Sequence, residues 1–378
     1  MSDVIRGRIR KGRKTKQLIH RLRPGDVAVV AHCDLDSVVA EDLIVRGIRA
    51  VLNVEQTFTG ELCTPGPQMI LDAGIVILDG VEESVFDLPD GASVHITGDA
   101  VYMRGETVAR GRRITSKQLA SRMQRARDNL SLQLCDFVDN TLSFARCEKS
   151  LLLEQPRMPP LSIDARGRPA LVAVRGRSYR EDMRAIRTYV TEQNPVVIAV
   201  DGAADAVVEA GWDPDILLGD MDSVSDAVLE GVCRRGGQLI VHGYPDGSAP
   251  GKGRLDELGL AHDLFCVHGT SEDAALLLAD QMGADLIVAV GTHTDPVEFL
   301  EKGRRGMAST MLVRLRVGGK LVDAKGVSRL YRVHPRPGDI ILLMGAGLVP
   351  LLLMLWLSPG FNVLLRLLAL HLRMTTGG

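Results

Sequence analysis

Apolar positions along the chain fall into short β-branched runs separated by helical stripes. Val27-Ala28-Val29-Val30-Ala31 has the continuous apolar character of a buried strand. Asp34-Leu35-Asp36-Ser37 and a periodic stretch to Val45, ended at Gly47, then predict a loop and a helix. Strands are predicted again at Ala50 to Val54 and Gly74 to Asp79, on either side of a loop at Pro65-Gly66-Pro67. This alternation predicts a parallel sheet in one small α/β domain. Between Gly91 and Thr115 the text shortens to alternating strands punctuated by Asp90-Gly91, Gly98-Asp99, Arg104-Gly105 and Arg110-Gly111, a β-meander. Leu119, Met123, Ala126, Leu130, Leu134 and Phe137 then recur at steps of three or four, predicting a long helix toward Ser150. Its stripe suits core packing, and its length also permits a homodimer seam.

Gln155-Pro156 through Pro160 cannot continue that helix and marks a linker. Beyond it, Ala170 to Val174, Pro195 to Val200, Leu239 to His242 and Leu286 to Val290 alternate with helical stretches such as Tyr179 to Glu192 and Glu272 to Met282. That pattern predicts a doubly wound sheet that binds ligands at the carboxyl ends of its strands. Near the C-terminus, Ile340 to Leu357 are 18 consecutive uncharged, mainly apolar positions. A bilayer core asks for about 20, so a transmembrane segment is predicted. Phe361 to Leu372, interrupted by Arg366 and His371, suits an interfacial helix. The predicted organisation is a basic arm over 1–25, an N-terminal α/β domain over 26–158, a second α/β domain over 166–335 and a membrane-associated segment over 339–373.

Composition narrows the function. Aromatic residues make up only 4% of the 378, which removes the usual stacking platforms for single-stranded nucleic acid. No nucleic-acid partner is expected. Six cysteines without a CxxC pair read as reduced thiols. No apolar h-region follows the basic N-terminus, so a cytoplasmic body is expected. Of the 45 Lys/Arg, nine fall in residues 1–24 against Asp3 alone, leaving an acidic remainder. Such an arm suits anionic lipid, nucleic acid or a solvated tail.

The most informative text is Val200-Asp201-Gly202-Ala203-Ala204-Asp205, then Gly211-Trp212-Asp213-Pro214-Asp215-Ile216-Leu217-Leu218-Gly219-Asp220-Met221-Asp222-Ser223. Asp220 and Asp222 are two apart, so an extended segment places both side chains on one face, where they can share a hard cation such as Mg²⁺. A metal held there bridges phosphate oxygens, which phosphoryl transfer requires. Gly202 and Gly219 leave room for a phosphate to approach backbone N–H groups. The same residues also suit structural roles, with Asp201 and Asp205 as caps, Asp213-Pro214-Asp215 as a turn, and Asp220 and Asp222 as solvated charges.

This string resembles the catalytic domain of thiamin pyrophosphokinases, whose signature joins an Asp-Gly-Gly-Ala strand end to a Pro-Asp and a Gly-Asp-x-Asp-Ser loop. The likeness runs from near Leu171 to near Lys325. It implies a metal at Asp201, Asp220 and Asp222, and an ATP-like nucleotide held by Asp201, Gly202, Gly219, Asp220, Asp222, Ser223 and Thr270. The chain departs from the family at His268-Gly269-Thr270-Ser271, which keeps the Thr of an Asp-x-Thr-Asp motif and lacks both acids. It departs again at Thr292-His293-Thr294-Asp295-Pro296, where thiamin-using members carry Arg and Asp-His.

Over nearly its whole length the chain is similar to the SteA-like family of actinobacterial cell-division proteins. The text that carries this includes Ala50-Val51-Leu52-Asn53-Val54, the acidic loop, Gly291-Thr292-His293, Glu298-Phe299-Leu300-Glu301, Gly306-Met307-Ala308-Ser309-Thr310 and Leu321-Val322-Asp323-Ala324-Lys325. The resemblance implies a protein at the cytoplasmic face of the septal membrane that acts with a membrane partner, SteB, in cell separation. The expectation is nucleotide binding without robust catalysis, and no catalytic residue is assigned. An active Mg²⁺-dependent ATP:acceptor diphosphokinase and a dimeric scaffold with a vestigial site are the alternatives.

Lesser features are Lys302, Arg304 and Arg305, which suit phosphate or a solvated face, and Asp34 and Asp36, which suit a second ligand or a cap. Asp246-Gly247 through Lys252-Gly253 suits a lid or a surface loop. His32, His95, His242, His268 and His293 assemble into no constellation by spacing.

Overall fold

The computed structural model describes residues 4–293, 295–301, 303–330 and 337–376. The chain forms two compact units, Met1–Leu330 and Tyr331–Gly378.

The first unit contains two sheets, in agreement with the predicted mixed α/β class. In the N-terminal half, β1 (Ile5–Lys11), α1 (Thr15–Arg21), β2 (Val27–Val30), α2 (Ser37–Val45), β3 (Ala50–Asn53), α3 (Gly66–Asp72) and β4 (Val76–Asp79) alternate. The meander follows as β5 (Ser93–Thr97), β6 (Ala100–Met103), β7 (Glu106–Arg110) and β8 (Arg112–Arg113). The sheet runs in the order β7-β6-β5-β1-β2-β3-β4-β8, parallel from β1 to β4. The basic segment read as an arm is therefore folded. β1 lies inside the sheet between β5 and β2, burying Ile9 while Arg6, Arg8 and Arg10 alternate away from it.

Helix α4 (Ser116–Cys147) is opened by a Thr115/Gln118 capping box and buries Leu119, Ala126, Phe137 and Thr141. Its other side leaves Leu132, Val138 and Leu142 exposed. A short turn, α5 (Ser150–Leu153), leads into the linker.

The second sheet is parallel throughout. Its elements are β9 (Ala170–Ala173), α6 (Tyr179–Ala185), α7 (Arg187–Gln193), β10 (Val196–Val200), α8 (Ala203–Glu209), β11 (Ile216–Gly219), α9 (Asp226–Arg234), β12 (Gln238–Gly243), α10 (Lys252–Glu257) and β13 (Asp263–Cys266). After them come α11 (Ser271–Gln281), β14 (Ile287–Val290), α12 (Pro296–Glu301), α13 (Ala308–Val317), β15 (Leu321–Asp323) and α14 (Ala324–Leu330). The order β13-β12-β11-β10-β9-β14-β15 reverses between β9 and β14, which opens a crevice at their carboxyl ends. Backbones nearly touch there: a Cβ added to Gly176 would lie 1.9 Å from the Gly291 carbonyl oxygen. Helix α11 packs against the strands and α13 and is buried from Glu272 to Ala279, which explains its nearly unbroken apolar sequence.

The N-terminal half docks on this crevice. Asp42 of α2 is buried and accepts the Arg175 Nε at 2.8 Å and the Tyr179 hydroxyl at 3.3 Å. Ser37 donates to Glu301 at 3.0 Å, and the Met307 N–H donates to Thr141 of α4 at 3.1 Å. These contacts use charge-assisted pairs closed off from water, where losing one partner is costly.

Among the described residues no helix is long and apolar enough to cross a membrane, which corrects the predicted transmembrane segment within 339–373. The second unit instead pairs α15 (Pro337–Leu357) with α16 (Pro359–Thr376). The apolar run is interrupted by Pro350 inside α15, which removes a backbone donor. Pro359-Gly360 then begins a new helix that carries Arg366, His371 and Arg373.

Candidate functional site

The acidic string divides into structural and cavity-facing carboxylates. Asp215 accepts the Val197 N–H at 2.7 Å and ties the start of β11 to β10. Asp205 accepts the Ser225 hydroxyl at 2.6 Å, and Asp213 pairs with Arg235 at 2.7 Å on the surface. Asp213 and Asp215 serve the loop itself, while Asp205 also stands 3.6 Å from His20 of α1.

Asp201 ends β10 in the left-handed region, at φ 46°, and its N–H donates to the Leu218 carbonyl at 3.0 Å. Its carboxylate then accepts the Met221 N–H at 3.1 Å. That approach requires Gly219, because a Cβ there would lie 1.8 Å from the Asp201 Oδ1. The Gly202 N–H donates to the Ser223 hydroxyl at 3.1 Å, and the Asp222 N–H to Asp220 at 3.1 Å. From the far side α10 braces the turn. Arg254 donates to the Met221 carbonyl and, at 2.8 Å, to that of Val224. The segment from Asp246 to Gly253 is thus a turn leading into this brace.

The charges are unbalanced. Burial and the Asp220 charge push the Asp201 carboxyl up to about 8, and burial with the Asp222 charge raises Asp220. Burial also disfavours the Asp222 carboxylate, but nearby Lys16 and hydrogen bonds with Asp220 and Ser223 outweigh it and leave its pKa lowered. Asp201 and Asp220 thus form a carboxylate pair held against its preferred charge state, which a hard cation relieves.

Above this pair opens a cavity of about 350 Å³. Of the residues named from the sequence, Asp201, Gly202, Asp220, Ser223 and Thr270 line it; Gly219 and Asp222 do not, the one standing behind Asp201 and the other beside Lys16. Among the described residues no group of three or more His, Cys, Asp or Glu stands as a metal-binding cluster. The donor chemistry fits a cation held by Asp201 and Asp220, with ligand phosphates and water completing the shell, the usual arrangement for Mg²⁺.

The α11 wall keeps acids close to the positions where the motif lacks them. Thr270 and Asp273 cap the helix reciprocally, with the Thr270 N–H donating to Asp273 at 2.9 Å. Burial and the Glu272 charge push Asp273 up to about 6. Glu272 accepts His293 Nδ1 at 2.8 Å and lies 3.6 Å from Arg314. Ser271 reaches His242 at 3.3 Å and hydrogen-bonds the Asp201 carboxyl. Lys16, Arg175, Glu272 and His293 also line the cavity, although spacing pointed to none of them. Glu272 and Asp273 carried a signal, as two adjacent acids that are buried in the first turn of the helix, whereas its third acid, Asp280, pairs with Lys320. Arg304 lies on the cavity wall, and Thr294 and Lys302 fall outside the described residues. Asp36 caps α2 by accepting the Val39 N–H at 2.9 Å, and Asp34 accepts the Thr59 N–H at 2.8 Å. That Asp-x-Asp pair therefore serves its own loop, although Asp36 also borders the cavity.

Comparison with known proteins matches this segment and the C-terminal one. Residues 188–245, from α7 to just beyond β12, match the family described as the thiamin pyrophosphokinase catalytic domain. Residues 325–375 match the SteA-like C-terminal domain. A 6-hydroxymethyl-7,8-dihydropterin pyrophosphokinase of Pyrococcus furiosus is 32% identical over 110 residues, covering 25% of this chain and 44% of that protein. The chain thus spans less than half the length of this relative.

Proposed function

We propose that this chain, a SteA-like protein with a thiamin pyrophosphokinase-like domain, binds a nucleoside polyphosphate such as ATP with Mg²⁺. The ligand sits between α2, α11 and the ends of β9 to β12, and its occupancy regulates cell separation at the division septum through a SteB-like membrane partner. The observation that carries the ligand is the Asp201/Asp220 pair on the floor of a cavity about 350 Å³ in volume. Pockets of about 300–1,000 Å³ hold small ligands. When bound, Mg²⁺ would neutralise the pair and bridge phosphate oxygens. The septal role and the membrane partner rest on the SteA-like likeness.

His268 and Ser271 stand where the pyrophosphokinase motif has acids, so binding without turnover is the favoured reading. The pyrophosphokinase relative favours a second one, transfer of a diphosphoryl group from ATP to an unidentified acceptor hydroxyl. Both are tested by incubating the full chain with ATP and MgCl₂, alone and with thiamin or a hydroxymethylpterin. A rise in melting temperature without AMP formation supports the binding reading. Stoichiometric AMP release that Asp220→Asn abolishes replaces it with the transferase, and no thermal shift at any ATP concentration rejects both.

A further inference from the structure

One wall of the cavity belongs to the N-terminal half. Lys16 of α1 and Asp36, Val38 and Val39 around the start of α2 face the strand ends that carry Asp201 and Asp220. Helix α1 is held there by His20, whose Nε2 lies 3.0 Å from the Ser223 carbonyl oxygen and whose Nδ1 lies 3.6 Å from Asp205. Helix α2 is held by Asp42 on Arg175 and Tyr179. The position of Lys16 over the acidic turn is therefore set by its helix, not by its own ammonium group.

That ammonium group is poised but not engaged. Its Nζ stands 3.6 Å from the Asp222 Oδ1, longer than the ~2.7–2.9 Å of a charge-assisted hydrogen bond. The Asp222 Oδ1 is buried and has no hydrogen-bond partner. The Lys16 side chain is 56% exposed, so a flexible stem with three donors is free to turn toward an incoming anion. Arg175, another cation on the cavity wall, is committed to Asp42.

We propose that the N-terminal domain completes the binding site, with Lys16 as a positioning residue that contacts the β- and γ-phosphates of the ligand. The site then selects ligands with at least two phosphates, and it exists only when both α/β halves are docked. This inference rests on the nucleotide reading above and deepens it.

The test titrates ATP, ADP and AMP, each with MgCl₂, calorimetrically into the full chain. Lys16→Met is expected to weaken ATP and ADP about tenfold or more, equivalent to about 1.4 kcal/mol. AMP should change less than about twofold, and Lys16→Arg should restore most of the loss, as expected of one charge-assisted contact. Unchanged ATP affinity in Lys16→Met overturns the assignment and leaves the acidic site standing. Equal losses for ATP and AMP also overturn it, because that pattern reports disturbed docking of α1. If the unmodified chain binds none of the three, the nucleotide reading fails and the lysine assignment falls with it.

Discussion

Replacing Gly219 with alanine strikes the turn on which the site depends. Gly219 has φ 154°, in a region open almost solely to glycine, and an added Cβ would lie 1.8 Å from the Asp201 Oδ1 and 2.2 Å from its Cγ. Asp201 cannot retreat as a unit. Its N–H is bound to the Leu218 carbonyl and its own carbonyl accepts the Ala204 N–H, both at 3.0 Å. The carboxyl must rotate and release the Met221 N–H. Backbone strain costs about 1–3 kcal/mol, and loss of a hydrogen bond by a mostly protonated carboxyl about 0.5–1.5 kcal/mol. With unfolding entropy of about 2.1 cal/mol/K per residue, a unit of this size melts with roughly 0.7 kcal/mol/K, so the melting temperature should fall by roughly 2–6 °C. Gly247→Ala is the control, since its φ of 86° is also positive but nothing lies within 4 Å of the added Cβ. It should fall by roughly 1–4 °C through strain alone, less than Gly219→Ala by the lost hydrogen bond and the clash. Scanning calorimetry of both variants, with and without ATP and MgCl₂, reads the difference. A Gly219→Ala protein that melts with the control and keeps its ATP-dependent shift refutes the close-approach argument.

Three further outcomes are expected. Asp201 holds its proton up to about pH 8 when folded but titrates near 3.8 when unfolded, so the folded state binds more protons across that window. Cation-free stability then falls as pH rises through it, a slope that Asp201→Asn should flatten in melts from about pH 5 to pH 9. Cation binding must displace that proton, so MgCl₂ should raise the melting temperature more at about pH 8.5 than at about pH 6; an equal effect at both contradicts the raised carboxyl. Asp42→Ala should strand the largely buried Arg175 guanidinium and cost about 3–5 kcal/mol, read as a lowered urea midpoint; a loss below about 1 kcal/mol argues against tight docking of the two halves.

Much of this architecture was legible because β-branched runs such as Val27 to Val30, Val196 to Val200 and Ile287 to Val290 are buried on both sheet faces and so read as continuous apolar text. β11 was hidden because Ile216–Gly219 is only four residues long and sits inside the acidic string. β1 was hidden because Arg6, Arg8 and Arg10 drew the reading toward an arm, although their alternation with Ile5 and Ile9 is that of a strand. Local spacing points to Asp220 and Asp222, whereas the carboxyls that share the cavity are Asp201 and Asp220, brought together by the neighbouring ends of β10 and β11; Asp201 was named only through the family resemblance. Lys16 could be found from neither, because it reaches them through the docking of α1 and α2, which depends on contacts such as Asp42 to Arg175 across 133 positions. The tail was misread because an uncharged run was measured without regard to Pro350 inside α15 or to the break at which α16 begins, at Pro359.

Ligand binding here depends on Asp201 and Asp220 sharing a cation with a polyphosphate in the cavity. Calorimetric titration of ATP into the full chain, with MgCl₂ and then with EDTA, measures this. One site per chain is expected, with binding in MgCl₂ weakened at least tenfold by EDTA and by Asp220→Asn alike. Affinity indifferent to both the metal and the Asp220 carboxylate would contradict it.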